Sequence, residues 1–308
     1  MVPGDTWWAS RSSKKEEASV SHGLSLHIAL NSVDPNSYEG WDGTLVACEN
    51  DADSMQKIAL SVGYQTQQLL TRKATRSAVI DAISKAAREL KKDDIFLLTY
   101  SGHGGQVPDT NGDEPDGKDE TWVLYDGELI DDELHKLYTQ FKPGVRILVL
   151  SDSCHSGTVT REMYERTAPI EAEFGVRSHP VFRSKLIPRE VQRKVVEHNQ
   201  RMFDDIQNDT KAAVKRSPEA TVLLISGCQD NQLSSDGDVN GLFTETLLKV
   251  WNSGTFKQDY RYFQRAIKRH MPPSQQPNYF IVGVANKPFE RQRPFTITTA
   301  SAAEKSAA

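Results

Sequence analysis

The sequence predicts an α/β fold built on a mainly parallel central sheet of about six strands, with helices on both faces. Two observations carry that expectation. Short runs such as Ile95-Phe96-Leu97-Leu98, Val145 to Leu150 and Ala220 to Ile225 are apolar and bounded by Gly, Ser and Asp, the signal for strands covered on both faces. Between such runs lie stretches with apolar residues at helical spacing, so the order is strand, helix, strand, which implies right-handed crossovers and parallel pairing. The third observation concerns function. Thr99-Tyr100-Ser101-Gly102-His103-Gly104-Gly105 and Ser151-Asp152-Ser153-Cys154-His155-Ser156-Gly157 each follow one of these runs. In open parallel sheets, chemistry collects just beyond the carboxyl ends of the strands.

The elements follow in order. Residues 1–22 are polar and charged and are expected to be a flexible N-terminal segment, although Trp7 and Trp8 depart from a purely disordered composition. Leu24 to Leu30 reads as the first strand, and His27 within it as a structural residue. A helix opens at Cys48-Glu49-Asn50-Asp51 and runs to about Val62; Tyr64-Gln65-Thr66 begins the second strand. Thr75 is suited to cap a helix through Leu90, which places Val79, Ile80, Ile83, Ala86 and Leu90 on one face. The third strand, Asp94 to Tyr100, leads to His103, and the fourth leads to Cys154. Ile187 to Ala213 has helical character, Ala220 to Gly227 is a fifth strand, helices span Leu242–Trp251 and Tyr260–His270, and Tyr279 to Val282 is a sixth strand. Residues 291–308 read as a flexible tail.

At 308 residues the chain can bury one large core. The formal net charge is −5, which gives no support to nucleic-acid binding. Three cysteines, Cys48, Cys154 and Cys228, form no even disulfide set and favour a reducing compartment. No apolar span is long enough for a membrane helix, and the first residues lack a basic start and apolar core, so a cytoplasmic protein without membrane partners is expected.

His103 and Cys154 carry the chemistry. A free thiol has a pKa near ~8.5 and is mostly protonated at neutral pH. A nearby imidazole can take its proton and later protonate a leaving amine. Glycines beside the histidine let backbone N–H groups approach a developing oxyanion, and Gly104 N–H and Cys154 N–H are the candidates. No side chain is evident as a third member, so a dyad is expected.

Gly102-His103-Gly104 with Asp152-Ser153-Cys154-His155-Ser156-Gly157 resembles the caspase-like fold family, the histidine standing 51 residues ahead of the cysteine. Within that family the chain is similar to the metacaspases and orthocaspases, since it lacks the Gln-Ala-Cys signature of true caspases. The resemblance runs from about Leu24 to Val284, apart from a stretch between Thr158 and Pro218. It implies a large, p20-like part over 23–158 and a small, p10-like part over 219–290 of one fold, with a charged connection over 159–218. It further implies a cysteine endopeptidase acting through an acyl-thioester, and a monomer.

For the first substrate pocket, Asp152 lies two residues before the nucleophile. Asp236 ends a stretch, Leu233-Ser234-Ser235-Asp236, that resembles the family's pocket segment; Cys48, Asp51 and Ser101 match its other pocket positions. Converging acids pair with a guanidinium or ammonium group, so cleavage of protein or peptide substrates after Arg, then Lys, is expected. The connection 159–218 is long and accessible, contains many Lys and Arg residues, and is a candidate for self-processing or for cleavage by an activating protease; the opposing reading is a solvated insertion.

The stretch from Asp109 to Glu120 holds six carboxylates. Its spacing fails an EF-hand, with Glu114 where glycine is needed. The resemblance implies a Ca²⁺ site in which Asp116 or Asp119 joins Asp131 and Asp132. Arg161 stands where a further ligand belongs, and a plainly solvated acidic loop is the competing reading. The alternatives to the protease are a silent caspase-like binding or scaffold module, a zymogen switched on by a partner protease, or a legumain-like enzyme preferring Asn.

Overall fold

The computed structural model describes residues 21–112, 114, 116–153, 183–228 and 235–298. Its elements in chain order are β1 (Gly23–Ala29), α1 (Cys48–Ser61), β2 (Gln65–Leu70), α2 (Arg76–Glu89), β3 (Ile95–Ser101), β4 (Gly104–Pro108), β5 (Lys118–Leu124), β6 (Gly127–Ile130), α3 (Asp131–Tyr138) and β7 (Arg146–Asp152). They continue with β8 (Arg183–Ser184), α4 (Arg189–Val214), β9 (Thr221–Ser226), β10 (Ser235–Asp236), α5 (Leu242–Trp251), α6 (Tyr260–Arg269), β11 (Asn278–Gly283) and α7 (Lys287–Arg291).

The central sheet has six strands in the order β11-β9-β7-β3-β1-β2. All neighbours pair in parallel except β11, which runs antiparallel to β9. The apolar runs dictate this layout, because each must be covered twice. Along β3, Phe96 and Leu98 face a core completed by α2, α3 and α4, while Ile95 and Leu97 face one completed by α1, α5 and α6. That alternation is the two-residue period of a strand buried on both sides. Thr75 caps α2 as expected, its hydroxyl accepting from Ala78 N at 3.2 Å.

A three-stranded antiparallel sheet, β4-β5-β6, leaves the end of β3 directly after His103. A two-stranded pair, β8 with β10, lies beyond the main sheet. Residues 1–20, 154–182 and 299–308 fall outside the described residues, and with them most of the expected flexible N-terminal segment and the end of the tail. The expectation of a tail beginning at 291 needs correction. Phe295 is fully buried, and the Arg146 guanidinium donates to Gln292 Oε1 at 2.7 Å and to the Thr296 carbonyl at 3.3 Å. The buried guanidinium at the start of β7 requires acceptors, and this segment supplies them.

Candidate active site

His103 stands between β3 and β4 and is 5% exposed. Its Nε2–H donates to the Gly43 carbonyl at 3.0 Å, and Trp41 packs against the ring with centroids 4.7 Å apart. Placing the proton on Nε2 leaves Nδ1 as the basic nitrogen, and Nδ1 has no hydrogen-bond partner among the described residues. Burial lowers the imidazole pKa to about 4, Lys185 adding to the effect and the backbone of Gly43 and Leu186 opposing it. The ring is therefore neutral at pH 7 and able to accept a proton. The group that orients the histidine is thus a backbone carbonyl, for which the side-chain sequence carries no signal.

Cys154 lies outside the described residues. The strand end before it is firmly held. Ser151 Oγ accepts from Trp122 Nε1 at 3.1 Å and lies 3.0 Å from Ser153 Oγ, and the Cys228 thiol donates to the Ser153 carbonyl at 3.1 Å.

The expected pocket residues Asp51, Ser101 and Asp152 come together, and they surround a side chain of the protein itself. Lys185 is fully buried. Its Nζ donates to Asp152 Oδ2 at 2.9 Å, Ser101 Oγ at 3.0 Å and Asp51 Oδ2 at 3.2 Å. Three acceptors thus match the three donors of an ammonium group. Burial works against the charged ammonium, but Asp152, Cys48, Asp51 and Asp236 outweigh it and hold the pKa well above the ordinary value. Asp51 is itself raised by burial, with Lys185 pulling the other way.

Second contacts fix the acids. Asp51 Oδ1 accepts from Gly241 N and Asn240 Nδ2, both at 2.9 Å, and Ser101 Oγ donates to Asp51 Oδ2 at 2.7 Å. Gly241 has a steric reason to be glycine: a Cβ there would lie 2.5 Å from Lys185 Nζ and 2.6 Å from Asp152 Oδ2. Cys48 is fully buried in the same wall, its thiol pushed up by burial. Asp236 plays a different part. Its carboxylate accepts from Val46 N at 2.8 Å and Ala47 N at 3.1 Å, so it anchors the start of α1 and reaches Lys185 only through its field.

The backbone around Lys185 is as specific as its side chain. Gly104 N–H, the expected oxyanion donor, donates to the Lys185 carbonyl at 3.0 Å, and Ile187 N–H donates to the Gly104 carbonyl at 3.0 Å. On the other side, β8 pairs antiparallel with β10, Ser184 opposite Ser235 and Arg183 opposite Asp236. The segment 183–187 is thus an extended chain with a basic side chain in an acidic pocket and the following carbonyl on a glycine N–H. The expectation of an accessible connection fails at this point: Lys185 and Ile187 are buried because the pocket acids and the core claim them.

The acidic loop forms a second cluster. Asp119, Asp131 and Asp132 bring one carboxylate oxygen each within 4.8 Å of one another. Asp116 is not among them; it is exposed in the turn before β5 and accepts from Lys118 N at 3.2 Å. Neutral donors reach the cluster: Gln207 Nε2 to Asp119 at 2.7 Å, and Asn111 Nδ2 and Thr210 Oγ1 to Asp132 at 2.7 and 3.0 Å. Burial and the like charges of Glu120, Asp119, Asp132 and Glu114 push Asp131 well above the usual carboxylate range. Three carboxylates that bring hard oxygen donors this close together fit Ca²⁺. His27, read as structural, lies between Thr99 Oγ1 and Ser25 Oγ, both at 2.9 Å. No helix among the described residues is long and apolar enough to cross a membrane.

Comparison with known proteins agrees with this layout. The family profile "Caspase domain" (Peptidase_C14) matches residues 32–293. Metacaspase-1 of Schizosaccharomyces pombe is 29% identical over 248 residues, covering 68% of this chain and 56% of its own. Metacaspase-1 of Botryotinia fuckeliana is 32% identical over 234 residues, covering 66% and 54%. The chain therefore spans little more than half the length of these curated relatives. Among solved structures, protein GSU0716 from Geobacter sulfurreducens is 51% identical with a TM-score of 0.79, over 90% of this chain and 99% of that one. Caspase-1 from Spodoptera frugiperda shares the fold at 13% identity and a TM-score of 0.51, over 90% and 92% of the two chains.

Proposed function

The chain belongs to the caspase-domain family of cysteine-type peptidases, and from that premise we propose that it is an endopeptidase that cuts after basic residues, its own Lys185–Leu186 bond first. The observation that carries this reading is Lys185 itself, whose ammonium meets Asp51, Ser101 and Asp152 while its carbonyl accepts from Gly104 N–H. A pocket with three acceptors converging on one nitrogen suits the compact charge of lysine, so lysine precedes arginine in this reading, the reverse of the sequence expectation.

The chemistry follows from the groups present. Cys154 gives its proton to the neutral His103, and the thiolate attacks the Lys185 carbonyl carbon. The oxygen, now negative, keeps the Gly104 hydrogen bond, which strengthens as charge develops. The C–N bond breaks, His103 returns the proton to the Leu186 amine, and water then hydrolyses the thioester with His103 again as base. Asp119, Asp131 and Asp132 would hold Ca²⁺, whose charge would offset the repulsion among these carboxylates. Because Lys185 fills the pocket, the uncut chain is a latent form toward other substrates.

The test is incubation of the full chain and of Cys154→Ala with Ca²⁺ or with chelator, followed by sequencing of new amino termini. A new terminus at Leu186 that is absent from the variant is expected. Intact wild-type chain under every condition, together with no turnover of peptides ending in Lys or Arg, would favour the silent scaffold. A cut made only by added protease would favour the zymogen.

A further inference from the structure

Beside the Lys185–Leu186 bond lies an open groove of about 720 Å³ between β4 and the first turns of α4. It begins where residue 185 ends. Leu186 and Ile187 form its near end, Val107 and Pro108 its β4 side, and Val196 its α4 side. β4 is an edge strand, and residues 185–187 add to it in parallel through the two hydrogen bonds at Gly104. The added strand then stops, because Pro188 turns the chain into α4, while the groove continues along β4 as far as Pro108.

The charges on its rim are unequal. Arg193 is paired with Glu190 at 2.6 Å and Glu197 at 2.5 Å. Lys118 and Arg189 line the same groove with no ion pair among the described residues, the Lys118 ammonium donating to Gln106 Oε1 at 3.3 Å.

We propose that this groove binds the residues of a substrate protein that follow the scissile bond. Aliphatic side chains occupy the first two positions, where Leu186 and Ile187 now lie, and acidic ones the positions beyond, facing Lys118 and Arg189. A substrate chain has no proline turn at its third position, so it extends along the β4 edge by strand addition. After the cut, Leu186 is a chain end. Only the residues before Pro188 need lift from Gly104, while Val195, Phe203, Gln207 and Thr210, all buried, retain α4. The inference rests on the proposed peptidase activity.

The test compares internally quenched peptides with Arg-Ser-Lys before the cut and Leu-Ile-Glu-Glu, Leu-Ile-Lys-Lys or Gly-Gly-Gly-Gly after it, using an Arg-Ser-Lys coumarin amide as reference. The acidic aliphatic peptide should exceed the others in kcat/KM, relative to the coumarin, by about tenfold. Joint Lys118→Glu and Arg189→Glu substitution should invert the preference between acidic and basic peptides, and Val196→Trp should lower the peptide-to-coumarin ratio. Equal rates for all three peptides, or a preference unmoved by charge reversal, overturn the groove. A second arm measures anisotropy of dye-labelled Leu-Ile-Glu-Glu on the full chain cut at Lys185 by added protease. Binding that charge reversal abolishes supports the groove even if no peptide is turned over, in which case the peptidase reading alone fails. Neither turnover nor binding overturns both.

Discussion

Among the described residues, two clusters of largely buried carboxylates meet different fates. At the end of β3 and β7, Asp51 and Asp152 share a lysine drawn from the same chain. At the β5 and α3 ends, Asp119 and Asp132, beside Asp131, accept from the neutral side chains of Asn111, Gln207 and Thr210. The first cluster receives a positive charge from within the chain, whereas neutral donors are seen to hold the second. An ammonium beside a carboxylate offsets the desolvation of both; a neutral donor satisfies the lone pairs but leaves the charge. The same residue type therefore marks a site already filled in one place and, in our proposal, a Ca²⁺ site in the other.

That contrast yields measurable differences. The largest concerns chemistry at the filled site. His103→Ala should slow appearance of the Leu186 terminus by ~10²–10⁴-fold, read by quantitative mass spectrometry of the cut, because the proton acceptor is lost while pocket and carbonyl contact remain. Next comes stability. Lys185→Met leaves two acids buried without a cation and should lower unfolding free energy by ~3–5 kcal/mol in urea titration. Lys185→Arg should retain most of it, and an equal loss for both variants would mean that shape rather than charge holds the segment.

The acidic cluster should respond with the opposite sign. Asp152→Asn should destabilise the protein, whereas Asp131→Asn should raise the melting temperature of the metal-free chain by relieving repulsion. Added Ca²⁺ should raise the melting temperature of the wild type, by an amount equivalent to ~2.7 kcal/mol at a hundredfold excess over Kd, and do so far less for Asp132→Asn. A calcium response unchanged in that variant would place the ion elsewhere.

The smallest effect sharpens the comparison at a single carboxyl group. Glu128 on β6 is fully buried between Gln192 Nε2, which donates at 2.8 Å, and the Thr121 hydroxyl. Burial pushes it up to about 7 from an ordinary 4.5, with both hydrogen bonds and Arg76 opposing. A raised carboxyl pKa means that the folded state holds the proton more tightly. Its contribution is complete below pH 4.5 and is lost as pH rises through 7. Glu128→Gln should accordingly gain on the wild type across pH 4.5–7 and then hold a constant margin, as followed by thermal melts across pH. A margin independent of pH would show that Glu128 is charged throughout.

The sequence was most legible where one residue type admits one environment. Wholly apolar runs such as Phe96 to Leu98 and Ile147 to Leu150 had to become covered strands, and all six expected strands are in the central sheet. Asp51, Ser101 and Asp152 could be named, but only through a resemblance, since nothing in their spacing says that they converge. Lys185 could not be told from the other basic residues of its stretch. Its partners lie 33, 84 and 134 positions away, and local pattern has no access to such separations. The Gly43 carbonyl was invisible for another reason: every residue has one. Asp119 rather than Asp116 joins the acidic cluster because strand alternation turns it inward at β5, a choice that depends on where the strand begins. The docked segment after Arg291 is polar enough to read as a tail, and only the buried guanidinium of Arg146 explains its place.

The position of Lys185 between β7 and β9 has a thermodynamic consequence. Those two strands are neighbours in the central sheet, paired from Arg146 with Thr221 to Ser151 with Ser226. A chain severed at residue 185 therefore divides its sheet along that seam, four strands on one polypeptide and two on the other. The product remains one particle but has become a complex. Its unfolding changes molecularity, from a unimolecular transition to a dissociation whose midpoint depends on protein concentration. Dilution, which has no bearing on the intact chain, becomes a way to take the cut one apart.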